Sequence, residues 1–167
     1  MPSFAGKFLV ARTVLQDASF RQTVVLLLQH GAEGAFGLVV NRAISVEGLP
    51  FAVFAGGPCE SEGLLMLHGH SDWTETSAES VAKQVAPGVF LGDASCLSRI
   101  SDSAPEPGRR YRMFSGYAGW GPGQLEGELA AGAWAIVPAT GELLFDVPAE
   151  DLWFRLVPPT IPEPSMN

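Results

Sequence analysis

Cysteine is scarce in this sequence of 167 residues, and long apolar runs are missing. The two cysteines, Cys59 and Cys96, stand far apart without metal-type spacing, which predicts two free thiols in a reducing compartment, with a single disulfide as the alternative. The longest strongly apolar stretch, Val24–Leu28, is far shorter than the roughly 20 residues that cross a bilayer. Lys7 and Arg12 interrupt the apolar N-terminal segment, so it has no signal-peptide core. These absences predict a cytoplasmic protein without a membrane segment.

Basic residues are also few. Ten Lys and Arg stand against eighteen Asp and Glu, which gives a formal net charge of -8 at pH 7. This charge repels a phosphate polyanion at long range, and nucleic-acid binding takes most of its affinity from Lys and Arg. Three arginines do stand close together, at Arg109, Arg110 and Arg112. Direct DNA binding is therefore disfavoured.

The composition indicates one folded domain. An apolar fraction of 47% and a charged fraction of 17% are typical of globular proteins. The length also fits a single domain, since domains run to roughly 100–200 residues. The segment 158–167 is rich in proline, which lacks an N–H donor and restricts the residue before it. We therefore expect a domain over residues 1–157 and an extended tail over residues 158–167.

Apolar and β-branched runs, broken by glycine and proline, predict an α+β fold with a mostly antiparallel or mixed sheet. The predicted strands are Lys7–Arg12, Gln22–Gln29, Phe36–Arg42, Ala52–Ala55, Leu64–Gly69, Val89–Gly92, Arg110–Ser115, Ala133–Pro138 and Glu142–Phe145. The second and third strands flank a glycine-bearing loop at residues 30–35, and the last two flank a turn at 139–141. Both pairs are expected to form hairpins. Ser80–Val85 fits a helix as well as a strand, and we favour a strand paired with Val89–Gly92.

Three short helices are also predicted. The first follows a cap at Asp93 or Ser95 and carries Cys96 on its apolar face. The last opens at Asp146, with Pro148 in its first turn. The middle helix lies between these two and has the fullest set of end signals.

The middle helix is expected to have Gly121 at the N-cap and the following proline at its first position. Gln124, at the third position, can reach back to the N–H of the N-cap residue, which is half of a capping box. Trp120 and Leu125 are placed to form a hydrophobic staple. Gly132 is expected to end the helix in a left-handed conformation.

The glycine-rich segment 116–126 that leads into this helix has two interpretations. Free N–H groups over Gly121–Gln124 would attract a small anionic ligand or an acidic side chain. However, the segment has neither the lysine of a P-loop nor a GxGxxG pattern. The favoured interpretation is architectural: the glycines let Tyr117 and Trp120 pack under a tight strand-to-helix turn.

The chemically reactive residues form no recognisable catalytic group. His68 and His70 lie on the same side of a strand and would begin a metal site if His30 were a third ligand, but no supporting carboxylate is visible. We therefore predict no metal and no other cofactor. No GxSxG elbow is present, so no catalytic residue is assigned. Glu126 and Glu128 are interpreted as solvated charges on different helix faces.

Two further features have a reactive and an inert interpretation. Cys59 follows a rigid turn at Gly56–Pro58, and inert packing is favoured over a redox role, which would need a cation or a helix N-terminus near the thiol that the sequence does not show. Arg110 and Arg112 share a strand face, where they either clamp a carboxylate or are solvated. We favour the solvated strand.

Several motifs, in the same order, resemble the YqgE/AlgH family across nearly the whole chain. The matching pieces are Phe8–Ala11, Asp17-x-x-Phe20-x-x-Thr23-Val24-Val25, His30, Gly34-Ala35-x-Gly37–Arg42, Gly56–Pro58, Leu67-His68, Gly116–Trp120, Gly123–Glu126 with Glu128, Trp134, Leu144-Phe145 and Trp153. The segment GYAGW-x-x-GQLE is the most specific of them. This chain is shorter than usual between Arg42 and Gly56 and has Cys59 where an aliphatic residue is common.

The resemblance implies a compact α+β fold built on a strongly bent sheet, with no established activity. One member of the family is labelled a transcriptional regulator. The favoured function is a non-enzymatic regulatory or protein-interaction domain that acts through a protein partner. The alternative is a small-ligand binder or an enzyme of unrecognised type, whose site gathers the polar and aromatic residues of the motifs. These residues are His30, Asn41, Arg42, Gly57, His68, Trp120, Gln124 and Glu126.

Overall fold

The computed structural model describes residues 3–13, 15, 17–44, 53–69, 84–92 and 111–157. These residues have an α+β fold dominated by one strongly curled sheet. The strands are β1 (Lys7–Ala11), β2 (Val24–Gly31), β3 (Gly34–Val39), β4 (Ala43–Ile44), β5 (Val53–Ala55), β6 (Cys59–His68), β7 (Gln84–Ala86), β8 (Val89–Leu91), β9 (Tyr111–Trp120) and β10 (Trp134–Pro138). The helices are α1 (Gln124–Ala130), a π-helical segment (Glu142–Asp146) and α2 (Ala149–Leu156). In the described ranges, no helix has the length and apolar character to cross a membrane.

The sheet is antiparallel except at one pair of strands. Its order is β10-β1-β2-β3-β9-β6-β8-β7, and the short β4 and β5 branch from it. Only β5 and β9, among the described strands, run parallel. The architecture therefore confirms the α+β class and the mostly antiparallel or mixed sheet.

Strand β9 changes its partner along its length. Its first half pairs with β5 from Met113 to Ser115, whereas its second half pairs with β3 from Ala118 to Trp120. The change of partner occurs around Gly116, whose φ of 83° lies in the left-handed region that glycine favours. A Cβ atom at this position would lie 2.8 Å from the carbonyl oxygen of Gly57, so the close approach also requires glycine.

Two apolar clusters cover the two faces of the sheet. Side chains alternate along β1, so Phe8 and Val10 enter one cluster and Leu9 enters the other. Helix α2 adds Leu152 to the first cluster, and α1 adds Leu125 to the second. Because both faces are covered, β2 can begin with an uninterrupted apolar sequence.

Most of the predicted strands are confirmed, with shifted ends. The loop expected at residues 30–35 shrinks to two residues, since β2 continues to Gly31 and β3 begins at Gly34. Strand β9 runs to Trp120 rather than ending at Ser115, because the expected glycine-rich turn is paired with β3 and β6. The favoured strand at Ser80–Val85 is confirmed for its described part, where β7 pairs with β8.

The predicted strand Glu142–Phe145 is wrong, and no hairpin forms there. The segment is π-helical, and Leu144 and Phe145 are both buried. Thr140 stabilises the start of this helical segment. Its hydroxyl accepts the N–H of Leu143 at 3.2 Å, and its carbonyl accepts the N–H of Leu144 at 3.1 Å.

The last predicted helix exists but begins later than Asp146. Helix α2 starts at Ala149, with Pro148 at its N-cap and no side-chain cap. Asp146 cannot open it because Val147 and Pro148 are extended.

The middle predicted helix also exists and begins later than predicted. Helix α1 starts at Gln124, because Gly123 adopts a left-handed φ of 76° that keeps the preceding proline outside the helix. Its end is as predicted: Gly132 has a φ of 80°, and the N–H of Ala133 reaches the carbonyl of Glu128 at 3.0 Å. The first predicted helix at residues 93–100 and the tail at 158–167 lie outside the described residues.

Candidate binding groove

The eight site residues expected from the sequence lie in three places. One group, near the contact of the β2–β3 hairpin with α1, comprises His30, Trp120, Gln124 and Glu126. A second group, next to the loop 17–22, comprises Asn41, Arg42 and Gly57. His68 lies apart in β6. The eight residues therefore do not line one cleft, and a ligand-binding role for them stays a prediction.

His30 joins three parts of the fold. Its Nε2 lies 2.8 Å from Oε2 of Glu126 in α1, and its Nδ1 accepts the N–H of Phe4 at 3.0 Å. The Phe4 ring stacks on the imidazole at 5.3 Å. Because Nδ1 is an acceptor, the proton sits on Nε2 and is donated to the carboxylate. This hydrogen bond is the main cause that lowers the pKa of Glu126 below its ordinary value.

Glu128 is not a solvated charge, contrary to the sequence interpretation. Its Oε1 accepts the indole N–H of Trp120 at 3.0 Å and that of Trp134 at 2.8 Å. Both indoles are buried. Glu126 is likewise paired, with His30. The helix wheel separated the two carboxylates correctly but could not show the side chains that face them.

Two N–H groups of the turn before α1 form hydrogen bonds within the turn itself. The N–H of Gly121 donates to Oε1 of Gln124 at 2.9 Å, as the capping-box pattern predicts. The N–H of Gln124 returns to the carbonyl of Gly121 at 3.1 Å. These two donors of the expected anion site therefore have partners inside the turn, which agrees with the architectural interpretation.

His68 and Gly57 have structural surroundings. His68 is fully buried and stacks on Phe90 at 5.6 Å, and its expected companion His70 lies outside the described residues. Gly57 has a φ of 152°, and a Cβ atom there would overlap the backbone of Tyr117. In the part of the chain that the structure describes, no three His, Cys, Asp or Glu side chains are grouped as a metal site needs.

Arg112 faces the protein interior rather than solvent, which corrects the favoured interpretation of this residue. Its Nη2 donates to the carbonyl of Phe145 at 3.2 Å, and its guanidinium lies 5.6 Å from the ring centroid of Phe54. Burial lowers the pKa of Arg112, and nearby Asp146 partly offsets this effect. Arg110 lies outside the described residues.

Asn41 and Arg42 hold the loop 17–22 against the sheet. The side chain of Asn41 donates to the carbonyl of Gln22 at 2.9 Å and accepts the N–H of Val24 at 2.9 Å. Arg42 donates from Nη1 to the carbonyl of Ser19 at 2.7 Å and from Nη2 to that of Arg21 at 2.9 Å. The loop is therefore held at three of its own carbonyl groups, and Asn41 also binds the first N–H of β2.

This loop forms one wall of a surface groove of about 450 Å³, and the start of α2 forms the other wall. We call it the arginine groove because Arg21 and Arg42 line it. Within the described residues, no carboxylate oxygen lies within 4.0 Å of either guanidinium. Phe154 stands in the α2 wall and is 67% exposed.

The sequence interpretation singled out neither Arg21 nor Phe154. A helical wheel could have found Phe154, since Leu152 and Leu156 share one face and Phe154 points about 160–200° away. Nothing in the sequence separates Arg21 from the other basic residues. Its place in the groove depends on the tertiary contacts of Asn41 and Arg42 with the loop.

Comparisons with known proteins cover nearly the whole chain. A family model described as AlgH-like matches residues 8–159. A UPF0301 protein of Myxococcus xanthus is 33% identical over 168 residues, spanning 92% of this chain and 88% of that protein. A UPF0301 protein of Anaeromyxobacter dehalogenans is 37% identical over 169 residues, spanning 89% and 84%.

Two solved structures share the fold. The solution structure of the AlgH protein from Pseudomonas aeruginosa aligns with a TM-score of 0.65 at 30% identity, covering 87% of this chain and 82% of that one. A crystal structure of a protein from Corynebacterium diphtheriae aligns with a TM-score of 0.72, covering 93% and 86%. At 22% identity, the second likeness shows the fold alone.

Proposed function

The chain belongs to the AlgH-like family, and we propose that it is a non-enzymatic protein-interaction domain of the cytoplasm that docks a partner at the arginine groove. One observation carries this proposal: an exposed aromatic ring, Phe154, lines the same groove as two arginines that have no described carboxylate oxygen within 4.0 Å. Aromatic and arginine side chains are the residues most enriched at the energetic centres of protein interfaces.

Phe154 is largely exposed, although it stands on a helix that packs against the sheet. The neighbouring Trp153 is buried and donates its indole N–H to the carbonyl of Ala11 at 2.7 Å, which fixes α2 on β1. The Phe154 ring meets that indole edge-on at 5.1 Å. The Phe154 ring therefore stands on a helix that is already fixed to the sheet. Burying this ring against a partner would cost little conformational entropy in this protein.

The surroundings of His30 support a binding role rather than catalysis. A histidine that acts as a general base needs a ring nitrogen within reach of the substrate. Here Nε2 is engaged with Glu126 and Nδ1 with the N–H of Phe4. The imidazole thus serves as a brace between the hairpin, α1 and the N-terminal segment.

The test is quantitative capture of partner proteins by the tagged full chain from cells, compared with Phe154→Ser. Leu64→Ser is the matched control, because Leu64 is also exposed, at 41%, but lies on β6 away from the groove. We expect Phe154→Ser to remove specific partners that Leu64→Ser retains, with both variants folded by circular dichroism. Equal partner sets for all three proteins would refute docking at this groove.

A second candidate is small-ligand binding beside the β2–β3 hairpin. A cavity of about 520 Å³ there is lined by His30, Trp120 and the residues of the hairpin tip. Small-molecule sites are concave and combine aromatic surface with a few polar groups. A thermal-shift screen with carboxylate and amine metabolites, repeated on Glu126→Gln, tests this candidate, and a screen without any stabilising compound would exclude it for those classes.

A further inference from the structure

The arginine groove does not end at Arg21. A second cavity of about 130 Å³ adjoins it and is lined by Arg12 and Thr13 together with Arg21, Gln22 and Trp153. The last three residues also line the arginine groove, so the two cavities share one wall. We propose that an acidic segment of a protein partner lies along this double cavity, its carboxylates paired with Arg12, Arg21 and Arg42. This inference rests on the proposed function and specifies the partner's chemistry.

The charge distribution favours an acidic ligand. The chain has only ten basic residues and a net charge of -8, yet three arginines line these two adjoining cavities. Among the described residues, no carboxylate oxygen lies within 4.0 Å of any of the three. Asp17, on the same loop, turns its carboxylate to the N–H of Ser19 at 2.8 Å. A carboxylate ligand would therefore meet three arginines that form no ion pair with a described carboxylate, although Glu150 also lines the groove.

The binding surface is held in place before any partner arrives. Arg42 is fixed by its bonds to two loop carbonyls, and these bonds use two of its five N–H donors. Gln22, between the two cavities, adopts a φ of 58°, which a residue with a side chain rarely keeps without a compensating benefit. A preformed arrangement of charges lowers the ordering cost of binding and fixes the direction of the ligand.

A peptide fits this surface better than a nucleic acid does. The net charge of -8 repels a long polyanion, whereas a short acidic segment feels mainly the local arginines within a Debye length of roughly 10 Å. The exposed Phe154 ring, in the α2 wall of the arginine groove, offers an apolar contact that suits an aliphatic or aromatic side chain of the same segment.

The test is fluorescence anisotropy of a labelled peptide of alternating Glu and Leu residues, titrated with the full chain. A peptide with Lys in place of Glu serves as the charge control, and a single-stranded DNA oligonucleotide serves as the other polyanion. We expect only the acidic peptide to bind, and its affinity to fall at least about fivefold between about 50 and 500 mM salt.

Charge-reversal variants locate the site. Arg12→Glu and Arg21→Glu should each lower the affinity for the acidic peptide about tenfold, because each replaces an attraction by a repulsion. Arg155→Glu is the matched control, since it makes the same change on the exposed last turn of α2 outside both cavities, and it should stay within about twofold. Glu150→Gln removes the one carboxylate in the described lining of the groove and should strengthen binding.

Each contrary outcome has a distinct meaning. Equal losses for Arg155→Glu and Arg21→Glu would overturn the inference, since binding would then depend on net charge alone. Tighter binding of the oligonucleotide than of the peptide would refute the claim that the ligand is an acidic peptide segment. Phe154→Ser could lose cellular partners that the arginine variants keep. That result would support docking at the arginine groove and refute an acidic segment as its occupant. If no variant changes partner capture or peptide binding, both proposals fail.

Discussion

Trp134 donates its indole N–H to Oε1 of Glu128 at 2.8 Å, although the two residues lie on different elements, β10 and α1. The same oxygen accepts the indole N–H of Trp120 at 3.0 Å. Phe20, from the loop 17–22, stacks on Trp120 at 5.9 Å and meets Trp134 edge-on at 5.7 Å. One carboxylate thus satisfies two buried indole donors and fastens α1 to the sheet.

Removing this carboxylate should destabilise the fold. Glu128→Ala leaves two buried indole N–H groups without their acceptor, and we expect a loss of about 2–4 kcal/mol in the free energy of unfolding. Glu128→Gln keeps an acceptor oxygen and should recover part of the loss. Urea denaturation followed by tryptophan fluorescence measures both. The exposed Glu60→Ala on β6 should change the value by less than about 0.5 kcal/mol, and a similar small change in Glu128→Ala would show that the indoles find other acceptors.

The hydrogen bond between His30 and Glu126 should make stability depend on pH in the acid range. It lowers the pKa of the Glu126 carboxyl below the ordinary 4.5. A depressed pKa in the folded state means that the stabilisation is present above the ordinary value and is lost as the pH falls through the folded-state value. The Tm difference between the wild type and Glu126→Gln should therefore be largest near neutral pH and shrink in acid.

The control for this pH effect is the hydrogen-bond donor itself. In His30→Ala the main cause of the shift is gone, so the pKa of Glu126 should move back toward 4.5 in a carbon-13 NMR titration. An unchanged pKa in His30→Ala would show that the backbone near Glu126, rather than the imidazole, holds the carboxylate in its charged form.

Gly57 should be intolerant of a side chain because of both its backbone conformation and its close packing. Its φ of 152° and its contact with the backbone of Tyr117 leave no room for a Cβ atom. We expect Gly57→Ala to lower the free energy of unfolding by at least about 2 kcal/mol. Gly63→Ala is the matched control, since a Cβ atom at Gly63 has no neighbour within 4 Å. Equal stability of the two variants would mean that the β5–β6 turn can move away from β9.

The backbone at Gln22 should prefer glycine. Its φ of 58° is costly for a β-branched residue, so Gln22→Val should lower stability by about 1–3 kcal/mol, whereas Gln22→Gly should be neutral or slightly stabilising. Thermal unfolding measures both. Gln29→Val, at an exposed position of β2, is the control and should be tolerated because strands favour valine. If Gln22→Val and Gln29→Val behave alike, the loop can relax without cost.

Local patterns in the sequence predicted the features whose conformation depends on residues close together in the chain. Gln124 at the third position from Gly121 predicted the hydrogen bond that the structure shows, and Gly132 predicted the end of α1. The apolar run at residues 24–28 predicted the strand that became β2. The resemblance to the family predicted the bent sheet. These features depend on side chains within a few residues of each other or on a motif that recurs as a whole.

Only the tertiary structure decided the remaining features, because they depend on what packs against each residue. The segment Glu142–Phe145 has the composition of a strand, but it is π-helical, and the N–H groups of Leu143 and Leu144 bind Thr140 instead of a neighbouring strand. Glu128 was taken for a solvated charge because its two indole partners stand 6 and 8 residues away on separate strands. The arginine groove exists because Asn41 and Arg42 fold the loop 17–22 onto the sheet, opposite a helix more than a hundred residues later in the chain. Sequence sets local preference, but the charge and shape of a surface arise from contacts between distant segments.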